Sequence, residues 1–144
     1  MIEFFNTKKL LKIDKKFPLE DVKALLEKEF NYEENINIIF TTRKEIKKLN
    51  KQFRGKNEVT DVLSFNIDSD KTLGEIYICP KYVIQMTYGI YIQEQIIRLL
   101  IHGILHLQGY DHTKKFDKVD YKDEPMYIKQ ENILNKFLTT NIQK

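Results

Sequence analysis

The sequence is poor in several features, and each shortage excludes a class of protein. Its single cysteine, Cys79, cannot form an internal disulfide. A small secreted scaffold held by bridges is therefore excluded, and a reducing compartment suits the chain. Long apolar runs are missing too. The most apolar stretch, residues 96–107, is interrupted by Arg98 and His102 and falls short of the ~20 apolar residues needed to cross a bilayer. Residues 1–6 carry a charge at Glu3 and no run that could form the core of a signal peptide, so the expectation is a cytosolic protein with no membrane partner. A large excess of one charge is also lacking. Lys plus Arg number 24 against 21 Asp plus Glu, a net charge of +3, too small to indicate nucleic-acid binding by itself. Arginine is scarce, with Arg43, Arg54 and Arg98 the only three, a bias that genomic base composition can produce. No repeat, linker or low-complexity stretch divides the chain.

What remains is the material of one ordinary domain. A length of 144 residues with 42% hydrophobic and 31% charged residues suffices for a core without disulfide support. Residues 1–6 read as a strand. Pro18, Glu20 and Asp21 open a helix, and Val22, Leu25, Leu26 and Phe30 share one of its faces. Residues 36–42 are β-branched and read as a second strand, followed by a Lys-rich helix with a narrow stripe of Ile46, Leu49 and Phe53 that Gly55 breaks. Strands over 60–66 and 73–79, joined by a polar loop, suit an antiparallel pair. Pro80 starts another helix. Over 92–107 apolar residues occupy almost the whole circumference, which predicts a central helix buried on several sides and stopped near Gly109. A last helix spans 124–138 with Met126, Ile128, Ile133, Leu134 and Phe137 on it. The order predicts an α+β fold, a single domain over 1–144 in which a mixed, roughly four-stranded sheet packs against helices and the central helix bears a metal.

The metal expectation comes from histidine. The chain has three, all between His102 and His112. His102 and His106 lie four apart on the predicted helix, so their imidazoles project from one face close enough to share an ion. His112, beyond the turn at Gly109, could close the site. Three neutral nitrogens suit Zn2+, or Ni2+ or Co2+, and disfavour the oxygen-seeking Mg2+ and Ca2+. Three protein ligands also leave a position open for water, as hydrolytic sites do. Two buried histidines alone are more often core residues bonded to backbone; a third at this spacing shifts the balance to metal. The spacing matches the metzincin protease pattern H-E-x-x-H-x-x-G-x-x-H, but Gly103 stands where those enzymes need a glutamate base. Peptide hydrolysis is thereby disfavoured.

The run from His102 to His112 resembles the hallmark H-G-x-L-H-L-x-G-Y-D-H of the YbeY-type bacterial rRNA maturation factors, which are metal-dependent endoribonucleases. Arg54 with the Thr60-Asp61-Val62-Leu63-Ser64-Phe65 block, and Leu73-Gly74-Glu75-Ile76 running to Cys79, look like the same family. Glu75 departs from it, since the family more usually shows aspartate there. The resemblance implies an α+β fold, with His102, His106 and His112 as zinc ligands and Arg54 in the cleft. It further implies single-stranded rRNA as substrate, cut at the 3′ end of the small-subunit (16S) rRNA and in ribosome quality control, with the ribosome or its small subunit as partner.

Arg54 and His106 are the residues expected to act in catalysis, in a monomeric protein. Arg54 has a case of its own, since a guanidinium fork fits phosphate oxygens and can stabilise charge developing on phosphorus. From Arg43 to Lys56 there are seven basic residues and one acid, Glu45, either a strip that tracks an RNA backbone or a solvated helix face. Thr60, Asp61 and Ser64 are expected to serve their strand, with support of Arg54 or of the active-site loop as the alternative for Asp61. Asp111 is expected either to orient an imidazole or to cap a turn. Tyr110, Met126 and Cys79 are expected to pack. The rival reading is a ribosome-assembly or RNA-binding factor whose zinc is mainly structural.

Overall fold

Alternating apolar residues lay down a sheet of four strands in the computed structural model, which describes residues 1–30, 33–109 and 125–142. The strands are β1 (Ile2–Phe5), β2 (Asn35–Phe40), β3 (Val62–Asn66) and β4 (Thr72–Ile78), ordered β1-β2-β4-β3. β1 runs parallel to β2 and β2 parallel to β4, while β3 pairs antiparallel with β4. The mixed sheet and its antiparallel pair are as the sequence led us to expect.

Among the described residues six helices cover the sheet: α1 (Thr7–Leu11), α2 (Leu19–Glu29), α3 (Arg43–Arg54), α4 (Pro80–Thr87), α5 (Ile92–Leu107) and α6 (Pro125–Ile142). Side chains alternate across β4. Gly74, Ile76 and Ile78 are buried toward the main core, where Val22, Leu26, Leu100, Ile104, Leu134 and Phe137 also lie. On the opposite face a smaller cluster forms from Ile46 of α3, Leu63 and Cys79, with Phe65, Tyr77 and Tyr82 packed around it. The sheet is thus a middle layer, with α5 and α6 on one side and α3 on the other.

Two glycines let α5 lie unusually close to the sheet. A Cβ on Gly103 would meet Ile76 Cδ1 at 3.0 Å, and one on Gly74 would meet the Phe65 carbonyl oxygen at 2.5 Å and Leu107 Cδ2 at 2.6 Å. At the end of α5, the Asn66 side-chain amide donates to the Leu107 carbonyl at 2.9 Å, satisfying one of the acceptors a helix end leaves open. Gly109 follows with φ +95°, the left-handed conformation that ends the helix where the sequence suggested.

Three details differ from the expectations. The helix α1 is five residues long and follows Asn6, itself left-handed at φ 58°; so short an element leaves no periodicity to read. Phe53 is 58% exposed and rests on Phe65 with ring centroids 5.0 Å apart, so the apolar stripe of α3 ends at the sheet edge. Ile128 is likewise 49% exposed, and α6 runs on to Ile142. Among the described residues no helix is long and apolar enough to cross a membrane.

Candidate metal centre

Nine of the residues of α5 are buried, but one stripe of the helix is polar: Glu94, Arg98, His102 and His106 follow one another at intervals of four. Side chains at that spacing stack along one face. Here the face looks toward α6.

His102 and His106 are half-buried and meet edge to face, with ring centroids 4.5 Å apart and an interplanar angle of 77°. Their Nε2 atoms stand 3.0 Å apart. At that distance one ring can donate its N–H to the other, or both lone pairs can turn to one cation. A tetrahedral zinc with bonds of ~2.0–2.1 Å would set its nitrogens ~3.3 Å apart, which this pair reaches by opening a few tenths of an ångström. Two convergent, half-buried, neutral nitrogen donors therefore fit a borderline-soft ion such as Zn2+. His112, the third ligand expected, lies outside the described residues, as do Tyr110 and Asp111. No cluster of three or more His, Cys, Asp or Glu groups placed to hold a metal occurs among the described residues.

Behind His102 runs a polar chain that sequence reasoning missed. His102 Nδ1 lies 2.8 Å from Gln130 Oε1, and Gln130 is a buried polar residue of α6, 6% exposed. The Gln130 amide Nε2 donates to Glu131 Oε2 at 3.0 Å. Glu131 in turn receives Arg98 through Nε at 3.0 Å and Nη2 at 3.1 Å, and Arg98 Nη2 also reaches Glu94 at 3.1 Å. Burial would raise the Glu131 carboxyl, but the hydrogen bonds from Arg98 and Gln130 and the guanidinium charge outweigh it and hold the group below its ordinary value. Burial likewise opposes the charge on Arg98, and its two carboxylate partners more than restore it. The sequence did carry a signal, polar residues every four positions on a mostly apolar helix. The partners on α6 carried none.

Arg54 ends α3, is exposed, and has no ion-pair partner among the described residues. It is not brought into contact with the histidines; its neighbour Phe53 rests on Phe65, next to Asn66, whose amide holds the Leu107 carbonyl. Asp61 serves its strand, accepting from the Val62 N–H at 2.8 Å while its own carbonyl receives the Cys79 N–H at 3.0 Å, so its use as a support for Arg54 is not seen. Glu75 points away from α5 and accepts the Tyr77 hydroxyl at 3.1 Å, which puts the family departure on the face opposite the histidines. Cys79 is fully buried, and burial pushes its thiol pKa up. Met126 is core at 1% exposure. Residue 103 faces Ile76, so the position that holds the metzincin glutamate is turned into the sheet.

Comparison with known proteins agrees with this architecture. The sequence model of the family described as Endoribonuclease YbeY matches residues 3–138. An Endoribonuclease YbeY from Thermotoga petrophila is 40% identical over 117 residues, covering 78% of this chain and 75% of that one. Another from Persephonella marina is 44% identical over 110 residues, covering 71% of this chain and 72% of its own. The solution structure of TM1509 from Thermotoga maritima superposes with a TM-score of 0.61 at 30% identity, covering 99% of this chain and 93% of the other. With the family model spanning nearly the whole chain and the fold shared, the chain belongs to the endoribonuclease YbeY family.

Proposed function

We propose that this protein is a zinc-dependent endoribonuclease that cuts single-stranded RNA in ribosomal RNA maturation. The observation that carries the reading is the convergence of His102 and His106 Nε2 to 3.0 Å at the end of α5, in a chain of this family. His112 is the third ligand in this proposal, and Ni2+ or Co2+ could replace zinc. When bound, the ion supplies Lewis acidity toward a phosphodiester. Arg54 opposes the negative charge that builds on phosphorus, and its exposed fork is free to take phosphate oxygens in two-pronged fashion.

The basic strip supports RNA as the substrate. Arg43, Lys44 and Lys47 line an open groove of about 490 Å³ between α3 and α4, with Val59, Tyr82 and Gln85 as its other walls. Gln85 accepts from Arg43 Nη1 at 3.0 Å, which steadies that guanidinium at the rim. A cationic groove with an aromatic wall suits a flexible strand better than a duplex, whose bases are hidden. Residue 103 leaves no place for the glutamate base of a peptidase. The family resemblance points further, to the 3′ end of small-subunit rRNA and to the ribosome as partner, with the protein acting as a cytosolic monomer.

The test is a digest by the metal-loaded protein of matched single- and double-stranded fragments from the 3′ end of small-subunit rRNA, with unfolded casein alongside. A variant with His102, His106 and His112 all changed to Ala is the control. The single strand should be cut preferentially, casein left intact, and the control inactive. Equal cutting of both RNAs, or proteolysis, would overturn the reading. A metal-bound protein that turns over no RNA would favour an assembly factor with structural zinc.

A further inference from the structure

We propose that Gln130 is a positioning residue that fixes His102 with its proton on Nδ1, so that Nε2 carries the lone pair turned toward His106. The inference rests on the metal reading for its purpose, but not for its geometry. His102 Nδ1 and Gln130 Oε1 are 2.8 Å apart and Gln130 is almost fully buried, so this contact is made without competition from bulk water. An amide can in principle present either end to an imidazole. If Nε2 faced the ring, His102 would need its lone pair on Nδ1 and its proton on Nε2, the wrong arrangement for binding a cation beside His106.

The surroundings decide which end is presented. The other end of the amide lies 3.0 Å from Glu131 Oε2, and an ionised carboxylate only accepts. Reversing the amide would set two oxygens face to face there and break a charge-assisted hydrogen bond. Glu131 cannot turn aside to relieve this, because Arg98 grips it through Nε and Nη2 while Glu94 and Gln95 occupy the rest of the guanidinium. The order Arg98, Glu131, Gln130, His102 is therefore a one-way chain of donors and acceptors. Its last link donates from Nδ1–H to Oε1 and leaves Nε2 as an acceptor. Carbonyl oxygens behind ligating imidazoles commonly set the tautomer and the basicity of metal sites, and removing such a partner typically costs 10–100-fold in affinity.

Two measurements on the full-length protein test this. The first is the nitrogen-15 chemical shifts of the His102 ring in the metal-free protein, at a pH where imidazoles are neutral. They should report the Nδ1–H form in the wild type and a mixture in Gln130→Met, which keeps the length of the side chain but has no oxygen. The second is zinc affinity by competition with a chelator. Gln130→Met should bind about 10–100-fold more weakly at unchanged stoichiometry. An Nε2–H tautomer in the wild type overturns the proposal outright, whether or not Gln130→Met folds. So does a Gln130→Met protein with wild-type tautomer and affinity. If the wild type bound no zinc, the metal reading would fail, and the tautomer measurement would still decide the role of Gln130.

Discussion

Helix α5 has two unlike sides. Toward the sheet it is dry and close, with Gly103 against Ile76 and Leu107 against Gly74; an added methyl group would overlap the Phe65 carbonyl and Leu107 at residue 74 and crowd Ile76 at residue 103. Toward α6 it is polar, and the chain from Arg98 to His102 passes through side chains of the neighbouring helix. The contrast shows how a small domain can keep a histidine pair half-open on a helix that also forms its core. The close side fixes the position of the helix by tight contacts with the sheet, and the polar side fixes the rotation and tautomer of a single ring. Stability should therefore be concentrated on the first side and chemistry on the second.

The largest loss of stability should come from Gly103→Glu. On paper it completes the peptidase pattern, but in the structure it forces a carboxylate into Ile76. A loss of about 4 kcal/mol or more is expected, since a buried unpaired charge adds to the steric overlap. Thermal denaturation and a casein assay check it together: gain of peptidase activity by a stable protein would contradict the packing described. Gly74→Ala should cost somewhat less, about 2–3 kcal/mol, because the Phe65 carbonyl and Leu107 must shift to admit one Cβ. Denaturant titration would show it as a lower midpoint with unchanged slope.

On the polar side the effects on stability shrink. Arg98→Met should cost about 1–2 kcal/mol, mostly from stranding the half-buried Glu131. Its signature is a pH dependence. Because the Glu131 carboxyl is held below its ordinary 4.5 in the folded protein, its contribution is present above that value and is lost as the pH falls through the lower, folded one. Melting temperatures taken from neutral pH down to about 3 should therefore fall less steeply in Arg98→Met than in wild type across the carboxylate range. Parallel curves would remove the pair from the account.

Arg54→Ala should have the smallest effect on the fold, less than about 0.5 kcal/mol, as expected of an exposed side chain. Its RNA cleavage should nevertheless drop by at least about tenfold, with poor rescue by Lys. Lys44→Ala and Lys47→Ala should mainly weaken RNA binding and flatten its salt dependence. Wild-type cleavage by Arg54→Ala would take Arg54 out of the mechanism.

Much of this contrast was legible in the sequence. The bounds of α5 follow from apolar residues around nearly its whole circumference, and its stop from Gly109. The histidine spacing likewise foretold that His102 and His106 share a face. The antiparallel pairing of β3 and β4 followed from the short polar loop between them. Other features escaped for physical reasons. The helix α1 is too short to show a period, and Phe53 kept its helical spacing while the sheet beneath it ended. The close approach at Gly74 and Gly103 depends on what lies across the core, which no local pattern encodes. Gln130 and Glu131 are ordinary polar residues in sequence and acquire meaning only because α6 lies against Arg98 and His102.

The metal content of the purified protein at neutral pH tests the central claim most directly, with wild type and His106→Ala compared by elemental analysis after zinc supplementation and dialysis. In the proposed site three imidazoles would hold the ion far more tightly than two, so about one equivalent of transition metal per chain is expected in the wild type, lost on acidification, with almost none in His106→Ala. Less than about half an equivalent in folded wild-type protein, or full occupancy in His106→Ala, would contradict the site.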